Sequence, residues 1–336
     1  MIKIGVLGAG YLGKIHISQL KELKSVEISG FYDPDKRISQ KVKDEYNLHC
    51  FSSENNLIAA SDAMLIAATS VEHFKLAKKC ILAGKHTFIE KPFTETLEQA
   101  KEILQLAQHA NLKIQIGHIE RFNPAFVAAK DFGLNPMFIE SHRLAEFNPR
   151  GTDVSVILDL LIHDIDIILH IVKSKVKTIH ASGVSIVSNK PDIANARIEF
   201  ENGCVANLTA SRISIRKERK MRIFQQDAYI LVDFLNKVTE QFSINGLDTS
   251  LDPLSFIIDT GGEKKIVKMD KPTVQPSNAI RTELEAFVNA IRNNSPTPVT
   301  LQDGYNTMIV AYEIINQIQH KELQWKMLKQ TAIVSK

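Results

Sequence analysis

In the first third of the chain, short apolar, β-branched runs alternate with stretches whose apolar residues recur at helical spacing. The runs are Ile2–Leu7, Val26–Tyr32 and residues 63–68, 86–89 and 112–116; the helical stretches are residues 14–23, 35–46, 72–83 and 96–110. Each run is too short for a helix, and each of the first four is followed by a helix long enough to cross back over a sheet. That order predicts parallel strands with right-handed crossovers, an α/β Rossmann-type domain with an open, doubly wound sheet. Thr94 or Thr96 is placed to cap the fourth helix, with Glu98 in its first turns. The alternation stops near Asn123-Pro124, which sets the expected domains at 1–122 and 123–336.

Past that point the rhythm changes. Phe138–Leu144 reads as a strand and residues 157–172 as one long helix. Residues 177–188, 194–200, 205–211, 220–225 and 229–234 read as strands. Glu201-Asn202-Gly203-Cys204 is a hairpin turn, because Asn-Gly takes positive φ easily. Hairpins after a helix predict an α+β domain with a mainly antiparallel sheet. Helices return at 279–292 and 304–319, split by Pro296 and Pro298. Strands 194–200 and 205–211 carry apolar residues on both faces, so a sheet covered by helix on one side leaves an apolar face open. That predicts a homodimer or homotetramer joined by sheet faces about a two-fold axis.

Composition narrows the function classes. At 336 residues the chain exceeds the size of one core, and 44% hydrophobic with 24% charged residues is ordinary for a soluble protein. A net charge of +3 with no long basic block argues against nucleic acid as a partner. Cys50, Cys80 and Cys204 lie far apart without metal or disulfide spacing, which fits reduced thiols in the cytoplasm. Met1–Leu7 has no basic leader pattern and reads as a strand. The longest apolar segment, 154–172, carries Asp159, His163, Asp164, Asp166 and His170, which a lipid-spanning helix would not, so no membrane partner is expected.

Candidate chemistry begins at Gly8-Ala9-Gly10-Tyr11-Leu12-Gly13, which follows a strand and opens a helix. Gly8 permits the tight turn, Gly10 lets backbone approach a pyrophosphate, and Gly13 lets the helix pack on the sheet with its N-terminus toward the phosphates. Asp33, about twenty residues on, has the spacing of a carboxylate that accepts from a ribose hydroxyl. Such an acid favours NAD over NADP, with Arg37 near enough in sequence to offset it. Lys91 follows the fourth strand, at the sheet edge where ligands bind; it either serves a substrate hydroxyl or points to solvent. On the long helix, Asp159, His163, Asp166 and His170 fall within an arc of about 60° at helical spacing. That stripe suits a histidine base oriented by a carboxylate, a metal site or a solvated face. Arg121 and Asn123, where the chain passes between domains, either contact substrate or cap the turn. The run Arg216-Lys217-Glu218-Arg219-Lys220 reads as a solvated hairpin or a contact for substrate phosphates.

Together these segments resemble the Gfo/Idh/MocA oxidoreductase family. The resemblance rests on the glycine loop, on residues 62–69 with His73, on Glu90-Lys91-Pro92, on residues 159–166 and on the helix 283–290. It implies hydride transfer between NAD, or NADP, and a secondary hydroxyl of a sugar or cyclitol. By position it implies Lys91, Asp159 and His163 as catalytic residues, with His163 the acid/base and Lys91 touching both nicotinamide and substrate. It adds Thr69, His73 and Glu90 to the cofactor residues and assigns no metal. The chain departs from the pattern at Ser70, where the family usually has proline, and lacks Gly-Gly ahead of Asp159. Residues 117–124, 150–154 and 158–166 are similar to a nucleotide-sugar branch, which acts on the 3-hydroxyl of UDP-N-acetylglucosamine and related sugars.

Overall fold

The computed structural model describes residues 1–108, 110–148, 154–245, 255–259, 261–262 and 264–334. The chain divides into two compact units, Met1–Phe122 with Ser277–Met308, and Asn123–Pro276 with Ile309–Lys336.

In the first unit the elements run β1 (Ile2–Leu7), α1 (Tyr11–Lys21), β2 (Val26–Tyr32), α2 (Lys36–Tyr46), α3 (Glu54–Ala59), β3 (Ala63–Ile66), α4 (Ser70–Leu82), β4 (His86–Glu90), α5 (Leu97–Gln108) and β5 (Ile114–Gly117). The strands form one parallel sheet in the order β2-β1-β3-β4-β5. β3 and β5 are buried at every position, which is why they read as unbroken apolar runs. Helix starts are written locally. The Asp35 side chain accepts from Arg37 and Ile38 N–H at the head of α2, and Thr96 and Gln99 form a reciprocal capping box at α5. A 3₁₀ turn, Ile119–Phe122, follows β5.

The second unit holds α6 (Pro124–Lys130), β6 (Phe138–Leu144), a π-helical turn (Ile157–Leu161) running into α7 (Ile162–Val172), and then β7 (Val176–Val184), β8 (Ile193–Phe200), β9 (Val205–Ser211), β10 (Glu218–Phe224), β11 (Ala228–Asp233), β12 (Val238–Asn245), β13 (Ser255–Asp259) and β14 (Lys264–Asp270). Among the described residues these strands make a sheet in the order β13-β14-β12-β11-β10-β6-β9-β8-β7, antiparallel except for β6 beside β9. The Asn202-Gly203 turn joins β8 to β9 with Gly203 at φ +87. Ala194, Ala196, Ile198 and Phe200 of β8 are buried with Ala206, Leu208 and Ala210 of β9 in a core shared with Ile165 and Ile168 of α7. The chain ends in α8 (Ala279–Arg292) and α9 (Leu301–Val334).

Several expectations change. Residues 277–308, assigned by sequence to the second domain, belong to the first unit: Leu284, Phe287 and Val288 of α8 join the core that holds Ile17, Leu20 and Phe88. β12, β13, β14, α3 and α6 were not anticipated. The outer face of β8 and β9 is polar rather than apolar. There Asn195 donates to Thr209 Oγ1 at 2.9 Å, and Arg197 reaches Glu199 at 3.3 Å and Asn207 at 3.4 Å. The apolar alternates counted for that face are the ones buried beneath helix. The basic run enters β10, with Lys217 beside Glu146 at 3.3 Å and Lys220 beside Asp233 at 3.7 Å. Residues 150–153 of the nucleotide-sugar segment lie outside the described residues.

Candidate active site

The glycine loop between β1 and α1 has the stereochemistry its sequence demands. Gly8 sits at φ +87, and a Cβ there would fall 2.4 Å from Ala68 N; one on Gly13 would fall 2.0 Å from Gly8 O. Around Gly10 nothing lies within 4 Å of a built Cβ, so backbone is open to a ligand. Gly10 is the N-cap of α1 and offers no side chain to the first-turn N–H groups, which suits an anion. Tyr11 is exposed, and Leu12 is half-buried. Asp33, at the end of β2, ties the loop down: Oδ2 accepts from Ala9 N–H at 2.8 Å and Oδ1 from Asp35 N–H at 2.9 Å. Arg37 is almost fully exposed, 3.4 Å from Asp35. Open glycine backbone, a free-ended helix and a strand-end carboxylate fit a dinucleotide.

At the end of β4, half-buried Lys91 follows a buried polar cluster. Glu90 Oε1 lies 2.6 Å from His16 Nε2 of α1, and Glu90 Oε2 accepts from Lys91 N–H at 3.2 Å. Burial opposes ionisation of Glu90, but the hydrogen bond and charge of His16, with the charges of Lys91 and His73, hold its carboxyl below the usual value. Buried His73 of α4 lies between two loops, with Nδ1 2.8 Å from Pro92 O and Nε2 3.0 Å from Ala68 O. Burial pushes its imidazole below the ordinary value despite those carbonyls. Thr69 is exposed at the N-cap of α4. His73 and Glu90, expected at the cofactor, thus turn inward and brace the loops that carry Ala68 and Lys91.

In the second unit, Asp159 lies in the π turn and His163 one residue into α7, both half-buried. π turns that interrupt helices are frequent at functional sites. The four-residue stripe does not survive intact: Asp166 is 1% exposed, whereas His170 is half-buried. Asp166 is offset from His163 by about 60° on the helix, enough to carry it into the core. Asp164 is also buried and makes a two-pronged ion pair with Arg143 of β6, whose Nε and Nη2 reach Oδ2 and Oδ1 at 2.9 Å each. Among the described residues no group of three or more His, Cys, Asp or Glu side chains is placed to hold a metal.

Arg121 and Asn123 are both buried. Arg121 Nη1 lies 3.3 Å from Pro298 O and 3.5 Å from Asp303. Asn123 caps α6, accepting from Ala125 N–H at 3.1 Å and donating to Phe234 O at 3.0 Å. These contacts favour the capping alternative. Sequence reasoning missed His16 and Arg143. A histidine on the apolar face of α1, beside Gly13, Ile17 and Leu20, was the available signal for the first.

Comparison with known proteins agrees with this geometry. Residues 2–118 match the family model described as "Oxidoreductase family, NAD-binding Rossmann fold", and residues 127–231 match the "GFO/IDH/MocA C-terminal domain". The chain is 35% identical over 314 residues to UDP-N-acetylglucosamine 3-dehydrogenase of Acidithiobacillus ferrooxidans, covering 93% of this chain and 96% of that protein. A solved structure of the dehydrogenase of that name from the same organism superposes with a TM-score of 0.85 at 32% identity, over 95% of this chain and 98% of that one. Apo scyllo-inositol dehydrogenase from Lactobacillus casei shares the fold, with a TM-score of 0.74 at 23% identity over 96% and 97% of the two chains. The chain belongs to the Gfo/Idh/MocA oxidoreductase family, enzymes whose named members here are dehydrogenases of CH–OH groups.

Proposed function

We propose that this enzyme oxidises a ring hydroxyl of a nucleotide sugar with NAD⁺, the 3-hydroxyl of UDP-N-acetylglucosamine being the leading candidate. The observation that carries the substrate is the 35% identity, over nearly the full length of both chains, to a UDP-N-acetylglucosamine 3-dehydrogenase. In this reading Gly8, Gly10, Tyr11, Leu12 and Gly13 cradle the dinucleotide, with Thr69 at the adjoining loop. A nicotinamide held there would supply the hydride acceptor. His163 accepts the hydroxyl proton, Asp159 orients the imidazole and stabilises its cation, and Lys91 hydrogen-bonds the oxygen as it gains charge. Asp33 accepts from the ribose hydroxyls and repels a 2′-phosphate, while exposed Arg37 is the group that would welcome one.

The test is turnover of UDP-N-acetylglucosamine followed by absorbance of the reduced cofactor, with NAD⁺ and NADP⁺ side by side. The expected outcome is a kcat/KM at least about tenfold higher with NAD⁺, a difference of ~1.4 kcal/mol. His163→Ala is expected to keep NADH affinity and lose roughly 10²–10⁴-fold in kcat. No reduction of NAD⁺ by this sugar would remove the substrate, and near-normal kcat in His163→Ala would remove the mechanism.

A further inference from the structure

The chemistry just described leaves one ionised group at the site without a task. Glu90 is 7% exposed, yet its carboxyl is held ionised. Its oxygens already have partners inside the fold, His16 on one side and the Lys91 N–H on the other. Burying a carboxylate and its partner is seldom the cheapest way to stabilise a fold, since well-packed apolar residues serve as well or better. A charge kept there calls for a reason beyond stability.

We propose that Glu90, locked by His16, is the positioning residue for Lys91. It fixes the turn that presents the lysine, its carboxylate accepting from the Lys91 N–H while His16 holds the other oxygen. This inference rests on the reading of Lys91 as the group that meets the substrate oxygen.

Neighbouring elements are shaped around the carboxylate. A Cβ on Gly117, in β5, would lie 3.0 Å from the Glu90 carboxyl carbon and from Oε2, so glycine there leaves the carboxylate its place. His16 also packs edge-on to Phe88 of β4, ring centroids 5.6 Å apart, which fixes the plane of the imidazole. On the far side His73 spans Pro92 O and Ala68 O, so the residue after Lys91 is held as firmly as the residue before it. The charged and titratable groups acting on Glu90 are thus His16 from α1, His73 from α4 and Lys91 itself. Because His16 belongs to the helix that the glycine loop opens, one hydrogen bond ties the cofactor helix to the lysine strand.

Two arms test this, the first independent of substrate. Trace acylation of the cofactor-free enzyme with acetic anhydride, read by peptide mass spectrometry, reports the reactivity of each lysine. With the turn no longer fixed by the carboxylate the Lys91 side chain is held less closely, so Glu90→Gln is expected to raise its acylation about threefold or more, with exposed Lys75 unchanged. Gly117→Ala alters no charged group and presses on the carboxylate, so it is expected to move Lys91 in the same direction by less. It keeps this arm decisive if Glu90→Gln folds poorly. NADH affinity, by fluorescence, is expected to stay within about twofold in both, since the glycine loop and Asp33 that hold the dinucleotide are unaltered.

The second arm is turnover of UDP-N-acetylglucosamine. Glu90→Gln is expected to lower kcat by roughly 100-fold, the usual cost of misplacing a reacting group by about an ångström, with KM for NAD⁺ unchanged. In a Lys91→Met background the same substitution is expected to cost almost nothing more, because its effect runs through the lysine. Unchanged Lys91 acylation, a large loss of NADH affinity or an equal cost in both backgrounds would each overturn the proposal. A wild-type enzyme that ignores this sugar overturns only the substrate assignment, and the acylation and NADH measurements then decide the role of Glu90.

Discussion

His73 shows how much a single buried side chain decides. Its imidazole is 2% exposed, and burial holds its pKa below the ordinary 6.5. The unfolded chain therefore binds a proton at a pH where the folded chain does not. The stability this gives the fold is full above about 6.5 and is lost as pH falls from there through the lowered folded value. Glutamine keeps an N–H donor for the Pro92 carbonyl but cannot titrate. The stability advantage of wild type over His73→Gln, measured by urea unfolding, is accordingly expected to shrink as pH falls from 7 toward 5; parallel curves would show that His73 carries no such linkage. At this scale the sequence was legible where the demand is local. Gly8, Gly10 and Gly13 announce themselves because the turn, the open approach and the helix–strand contact are all set within six residues. His16 did not, because its partner Glu90 lies 74 residues away. For the same reason Glu90 and His73 were assigned to the cofactor from their motifs, while their hydrogen bonds run inward.

Elements were legible in proportion to how strongly one period dominated them. The parallel strands, buried on both faces, stood out as apolar runs, whereas β12 opens Val238-Thr239-Glu240-Gln241 and alternates too weakly to read. Asn123-Pro124 was read as a boundary, but it is also an N-cap followed by proline at the first helical position, the local signature that starts α6. The π turn at Ile157–Leu161 was invisible, because a single inserted residue leaves the apolar pattern intact while moving Asp159 relative to the rest of α7. Beside His163 the Arg143–Asp164 pair ties α7 to β6, each side chain 2% exposed. Removing one partner strands the other charge in the core, so Arg143→Leu is expected to destabilise the enzyme by about 3–5 kcal/mol. Adding Asp164→Leu is expected to recover most of that loss, since it removes the stranded charge. Denaturant unfolding checks both variants, and a cost below about 1 kcal/mol for Arg143→Leu would show that the pair does not hold the helix.

At the scale of the whole molecule, linear order misled. Ser277–Met308 returns to the first unit after the nine described strands of the second sheet, and no composition shift in the chain marks that return. The face suited to assembly also lies on other residues. The outer face of β8 and β9 is polar and needs no cover, but farther along the same sheet Val205, Phe138, Phe224, Tyr229, Phe242 and Met269 are cross-strand neighbours in one row. Its rings touch in sequence, with centroids 5.8, 5.0 and 5.7 Å apart, and exposed Met137 and Ile244 flank it. Six strands at about 4.8 Å spacing make an apolar band roughly 24 Å long, more than scattered surface hydrophobics require. Beside it run charged partners, Arg222 with Glu140 at 4.0 Å and with Glu218 at 3.8 Å. A band of this kind is self-complementary about a two-fold axis, where each row meets its own copy and charged groups fall at the rim. We therefore expect a homodimer, or a homotetramer containing that dimer, formed through this face. Light scattering at micromolar concentration should give at least twice the 37.7 kDa of one chain. Phe224→Glu with Tyr229→Glu places four carboxylates in the dimer contact, and the mass should fall to half that of the wild type with the circular dichroism of the fold retained. A wild-type enzyme that scatters as one chain, or a double variant that keeps the wild-type mass, would show that this band is not the contact.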